Sequence, residues 1–257
     1  PFALDGYARN RSALRLPSDQ LLKLDAEVGL HPALMPLSKL LEAGRLAVVQ
    51  NVGYPNPSRS HFRSMATWHT ARLEPELHDE AGWLGRVLDE EQQARPGASA
   101  LSVGPGPPPP AVRGLRAPAA ALERLEDCAF LPGADPRATV SGGKPDGGLA
   151  DYVRRTTVTA GETADRIAAL AEAKQGRATY PAGALGRQLS RLASLLEAGH
   201  DARVYYTLQT GYDTHIRQLA SHENLLGAFA QGVTAFIDDL DAAGLSERVL
   251  LLAFSEF

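Results

Sequence analysis

Ala202-Arg-Val-Tyr-Tyr-Thr-Leu-Gln209 runs into the polar turn Thr210-Gly-Tyr-Asp-Thr-His215 and then into a long amphipathic stretch. This succession sets the fold class. The β-branched and aromatic residues of the first part predict a strand. From Gln218 to Ala243, Leu225, Leu226, Phe229, Val233, Phe236, Ile237 and Leu240 recur at helical spacing, and Gly244 is the stop. Downstream, Val249 to Phe254 reads as a further strand that delivers Ser255 and Glu256 at its carboxyl end. Upstream, Leu46-Ala-Val-Val-Gln-Asn-Val52, bounded by Gly44 and Gly53, reads as an interior strand, followed by a Pro-rich turn and a helix from Ser60 to Ala71. Helices are also expected over Ser18 to Arg45, Leu149 to Lys174 and Leu185 to Ala198. Strands alternating with long helices predict an α/β fold with a mainly parallel central sheet flanked by helices.

The chain of 257 residues, 44% of them hydrophobic, is long enough for one large domain, and a single domain over residues 1–257 is expected. Between 95 and 148 the composition turns to Pro, Gly and Ala, which reads as an insertion leaving the sheet, with one short helix at Ala119 to Leu125. A net charge of -4 argues against nucleic acid as a partner, because phosphate contacts need clustered Lys and Arg. A single cysteine, Cys128, rules out an intrachain disulfide and a Cys-rich zinc site; beside Ala129 and Phe130 it reads as a small apolar residue. No apolar run approaches the roughly 18 residues of a membrane-spanning helix. The start at Pro1 and the stop directly after a strand-like run read as cuts at both ends.

Three polar clusters follow the expected strands: Asn56-Pro-Ser-Arg-Ser-His61, Gly211-Tyr-Asp-Thr-His215 and Ser255-Glu256. In parallel sheets such ends share one edge, where open α/β folds place ligands. Asp213, His215, Glu256 and His61 offer mixed oxygen and nitrogen donors of the kind zinc or manganese takes. Asp-Thr-His ahead of a helix is equally a capping sequence. Ser58, Arg59 and Ser60 put two hydroxyls and a guanidinium at a helix start, where an oxyanion is stabilised, or where the hydroxyls merely cap the helix. His222 is a further ligand or a helix-surface residue, and His31, His69, His78 and His200 have no evident partner in sequence.

Gly29-Leu-His-Pro-Ala-Leu34, Leu46-Ala-Val-Val-Gln50, Gly53-Tyr-Pro-Asn-Pro-Ser-Arg-Ser-His-Phe62, Gly82-Trp-Leu-Gly85, Gly211-Tyr-Asp-Thr-His215 and Phe254-Ser-Glu-Phe257 occur in that order. Together they resemble bacterial proteins of the domain-of-unknown-function family 1501, grouped with the alkaline phosphatase and sulfatase superfamily. The resemblance implies an alkaline-phosphatase-like domain, here incomplete at both ends, and a hydrolase of phosphate or sulfate esters that uses a divalent metal, zinc or manganese. It implies Asp213 and His215 as a metal pair with Glu256 at a strand-end acidic position, Ser58 or Ser60 as nucleophile and Arg59 as the anion holder. Its implied substrate is a small anionic ester or a sulfated or phosphorylated glycan. Export through a twin-arginine leader to the periplasm or beyond is implied as well. Asn56-Pro57-Ser58-Arg59 keeps the Pro and Arg of the sulfatase signature, while Pro55 stands at its nucleophile position. The competing class is a binding or scaffold protein that keeps the fold without the chemistry.

Overall fold

The computed structural model describes residues 5–73, 81–94, 99–123, 137–140, 148–171 and 178–256. In chain order the helices are α1 (Asp5–Asn10), α2 (Ser38–Glu42), α3 (His61–Thr70), α4 (Trp83–Ala94), α5 (Arg137–Val140), α6 (Leu149–Ala171), α7 (Ala184–Glu197) and α8 (Gln218–Ala242). The strands are β1 (Leu22–Lys23), β2 (Gly29–Leu30), β3 (Ala100–Val103), β4 (Ala119–Leu122) and β5 (Val204–Tyr206). The fold is mixed α/β. The chain divides into two compact units, one of Pro1–Gln50, Arg177–Ser190 and Leu208–Gly244, the other of Asn51–Gly176, Arg191–Thr207 and Leu245–Phe257.

The second unit holds a parallel sheet of order β4-β3-β5, with Leu101 opposite Ala120 on one side and Tyr205 on the other. Its core gathers Leu88, Ala100, Val112 and Ala117, with Leu84, Ala119, Val204 and Tyr206 packed against them. Helix α4 seats this core through two devices. A Cβ at Gly82 would lie 2.0 Å from the Pro110 carbonyl oxygen, and one at Gly85 would lie 1.9 Å from that of Arg113, so only glycine permits the approach. One turn further on, the Asp89 carboxylate accepts the backbone N–H groups of Leu115, Arg116 and Ala117 at 2.6 to 2.7 Å. The segment joining β3 to β4 is thereby locked to the helix.

In the first unit α8 packs on a 3₁₀ turn at Pro32–Leu37, and Thr234 Oγ1 donates to the Pro36 carbonyl at 3.1 Å. Arg45 grips Asp241 with both guanidinium nitrogens, at 2.8 and 2.9 Å.

Helices α3, α6, α7 and α8 form where the 3.6-residue period puts them, and Gly199 and Gly244 follow α7 and α8 with positive φ. Elsewhere the structure corrects the sequence reading. The expected helix from Ser18 to Arg45 is instead the β1-β2 hairpin, the 3₁₀ turn and the short α2. The Asp25 carboxylate takes the N–H groups of Glu27 and Val28 at 2.7 Å, which turns the chain, and Pro32 and Pro36 interrupt any long helix. Within the Pro/Gly-rich stretch the described residues include β3 and β4, which belong to the sheet; Ala119 to Leu122 is strand rather than helix because it pairs with β3. Leu46–Val52 and Val249–Phe254 form no strand: no neighbouring segment pairs with them among the described residues, and Val49 and Leu250 stand 78% and 94% exposed. Strand propensity without a partner leaves a chain merely extended.

Gly85→Ala is expected to destabilise the protein by roughly 2–3 kcal/mol through overpacking, although alanine is the better helix former by about 1 kcal/mol. Thermal unfolding followed by circular dichroism checks this; an unchanged or raised Tm would refute the close-approach account.

Candidate functional site

The Pro-rich turn before α3 is held from inside. Tyr54 hydroxyl and Ser64 Oγ lie 3.0 Å apart; the Ser58 N–H donates to the Tyr54 oxygen at 3.4 Å, and Ser64 Oγ donates to the Ser58 carbonyl at 2.9 Å. Both backbone polar groups of Ser58 are thus fixed by side chains. Its own Oγ accepts the Ser60 N–H at 3.1 Å. Hydrogen bonding with Ser64, ahead of that with Ser58, draws the Tyr54 hydroxyl below its usual pKa, against a smaller desolvation effect. Ser60 is the N-cap residue of α3 but makes no side-chain cap bond, and with Arg59 it faces solvent.

Along α3, His61, Trp68 and His69 recur on one face at i, i+7 and i+8 and meet the chain's last described segment. His61 Nδ1 and Glu256 Oε1 are 3.2 Å apart, joining residues 195 positions distant in sequence. Phe254 anchors that segment: its ring stacks on Trp68 with centroids 5.8 Å apart and meets His69 edge-on at 6.5 Å. His69 Nε2 reaches the Tyr206 hydroxyl, at the end of β5, at 3.3 Å. Burial holds the His69 imidazole below its ordinary pKa; Arg113 acts in the same direction and Glu256 opposes them. Burial, then Glu256, pushes the Tyr206 hydroxyl up.

Asp213 and His215 lie in the irregular loop before α8, and His215 Nε2 is 3.0 Å from Asp213 Oδ1, with the His215 side chain 84% exposed. Thr214 N–H closes the turn onto the Tyr212 carbonyl at 2.8 Å. His222 is half-buried, edge-on to Tyr212 and His31 at 5.9 and 6.2 Å. His31 caps the 3₁₀ turn by accepting the Ala33 N–H at 3.1 Å, and His200 Nδ1 lies 2.8 Å from the Tyr205 hydroxyl. His78 and Cys128 lie outside the described residues.

The sequence-expected residues therefore appear as two local constellations, Ser58-Ser60-His61-Glu256 and Asp213-His215. Tyr54 and Ser64 escaped the sequence reading, and His69 stood in it without a partner. Only the helical offset from His61 to His69 signalled the last of them. Each His-carboxylate pair supplies donor types that suit zinc or manganese, but two donors fall short of a shell, and among the described residues no group of three or more His, Cys, Asp or Glu is gathered as a metal site would need. Among the same residues no helix is long and apolar enough to cross a membrane.

The profile of the family described as "Protein of unknown function (DUF1501)" matches residues 15–257, and the chain belongs to that family. No curated protein and no solved structure matches the chain significantly.

The His69 environment makes a pH prediction. Because burial favours the neutral imidazole, the folded state binds that proton less readily than the unfolded chain. The stability is therefore full above the ordinary value of 6.5 and declines as pH falls through and below it. His69→Gln is expected to flatten the fall of Tm between about pH 7 and 5. An acid limb identical to that of the native protein would show that His69 does not carry the effect.

Proposed function

We propose that this protein is a metal-dependent hydrolase of phosphate or sulfate esters with Ser58 as its nucleophile. One observation carries the reading. Ser58, a hydroxyl held rigidly at a helix start, shares α3 and its preceding turn with a His61-Glu256 pair drawn from distant sequence. The Ser60 N–H directed at Ser58 Oγ stabilises negative charge developing on that oxygen, which favours Ser58 over the exposed Ser60. Arg59, exposed at the same turn, suits bidentate contact with an anionic ester, which fits a small phosphate or sulfate ester or a glycan bearing one.

His61 and Glu256 are the residues that would hold a divalent ion on this side, and Asp213 with His215 is another pair of the same donor types. Such an ion, zinc or manganese, would supply charge neutralisation on the ester oxygens. An alkaline-phosphatase-like architecture and export to the periplasm or beyond belong to the same reading, and the sequence resemblance described above is what supports them. A non-catalytic binding or scaffold role is favoured by a different observation: Asp213 and His215 satisfy each other in an exposed loop.

Two measurements test the reading. Ser58→Ala is expected to lower turnover of an aryl phosphate or sulfate by about several hundredfold, far beyond the roughly 1 kcal/mol of one lost neutral hydrogen bond, while Ser60→Ala has a small effect. Zinc or manganese is expected to raise the Tm of the native protein, and His61→Ala or Glu256→Ala to abolish that rise. Equal turnover in Ser58→Ala and native protein would exclude Ser58, and bound metal without turnover of any ester would favour the scaffold.

A further inference from the structure

A groove of about 570 Å³ runs along the C-terminal half of α8, within the first unit. One wall is a single helical stripe that includes Gln231, Thr234, Asp238 and Asp239; the other is the strap Ala178–Pro181, with Pro36 at one side. The strap is fixed in place. Buried Asp239 accepts the Ala178 N–H and the Tyr180 hydroxyl, both at 2.7 Å, so the groove is preformed. Burial first, then the hydrogen bond to Asp239, raises the Tyr180 hydroxyl's pKa and keeps it a donor.

Asp239 is thus committed to the strap, and Asp241 on the next turn is gripped by Arg45. Asp238 is different. It is exposed in the groove and makes no hydrogen bond or ion pair among the described residues, and the same holds for the neighbouring Gln231 amide. No Lys or Arg lines the groove. The C-terminal end of α8 adds the negative end of a helix dipole. Pro36, Pro181, Ala235 and Ala242 line it with apolar surface suited to a short aliphatic stem.

We infer that this groove binds an organic cation, an ammonium or guanidinium group on an aliphatic stem, with Asp238 as the counter-charge and Gln231 as a neighbouring hydrogen-bonding group. Its charge preference is opposite to that of the Ser58 turn, and it does not depend on ester hydrolysis. In this open groove a cationic donor gains a charge-assisted hydrogen bond plus the attraction of opposite charges from Asp238, whereas an anion is repelled and a neutral diol lacks the attraction between full charges.

The test is calorimetric titration of the full chain with agmatine, with 1,4-butanediol and inorganic phosphate as controls. Agmatine is expected to bind while the two controls do not. Asp238→Asn is expected to weaken agmatine about tenfold, Asp238→Glu to retain it, and rising salt to weaken it in the native protein. Thr179→Trp, placed on the exposed strap away from the Asp239 bonds, is expected to fill the groove and abolish binding with Tm unchanged. No binding of agmatine, equal binding of butanediol, or undiminished affinity in Asp238→Asn would overturn the inference.

Discussion

The contact on which the second unit depends is the seating of α4 on the chain between β3 and β4. Two glycines let the helix backbone approach carbonyl oxygens that any side chain would strike, and the Asp89 carboxylate then gathers three successive N–H groups from the same segment. Those N–H groups belong to a loop with no ladder of its own, so Asp89 supplies partners that secondary structure does not. With this segment fixed, Val112 and Ala117 enter the core under Leu88, and β4 lies alongside β3 in parallel register. In Gly82-Trp-Leu-Gly85 the first glycine stands directly before α4 and the second in its first turn, and the spacing of three brings both against the same loop.

The helices were legible because their signal is local. Leu189, Leu192 and Leu195 are buried together on α7 as a period of 3.6 requires, and Phe236 and Leu240 likewise on α8. The sheet was not legible, for the opposite reason. Ala100-Leu-Ser-Val103 and Ala119-Ala-Ala-Leu122 are short and modest in strand propensity, set among Pro and Gly, and they become strands only through each other and through β5. Leu46–Val52 and Val249–Phe254 carry the stronger propensity, yet no strand pairs with either among the described residues. A strand is a property of two segments, and composition reports on one.

The same division runs through the candidate site. Ser58, Arg59, His61 and Glu256 stood out because their functional groups announce chemistry, and the structure joins His61 to Glu256. What holds them does not announce itself. Tyr54 and Ser64 act on the backbone of Ser58, and Phe254 does its part by wedging against Trp68 and His69. Supporting roles of this kind depend on distances that no motif encodes.

Helix α3 is also bracketed by left-handed backbone. Asn56, a residue type that tolerates the region, precedes it at φ 51°, and Ala71 ends it at φ 53°, where a side chain costs about 1 kcal/mol or more. Between them the helix has only ten residues, and the turn ahead of it is pinned at Ser58 from both sides of the peptide. Such a segment has no slack. A residue inserted or deleted between Tyr54 and Ser58 would carry the Tyr54 hydroxyl out of step with the Ser58 N–H and Ser64, so this loop, unlike most surface connections, has its length set by its own hydrogen bonds.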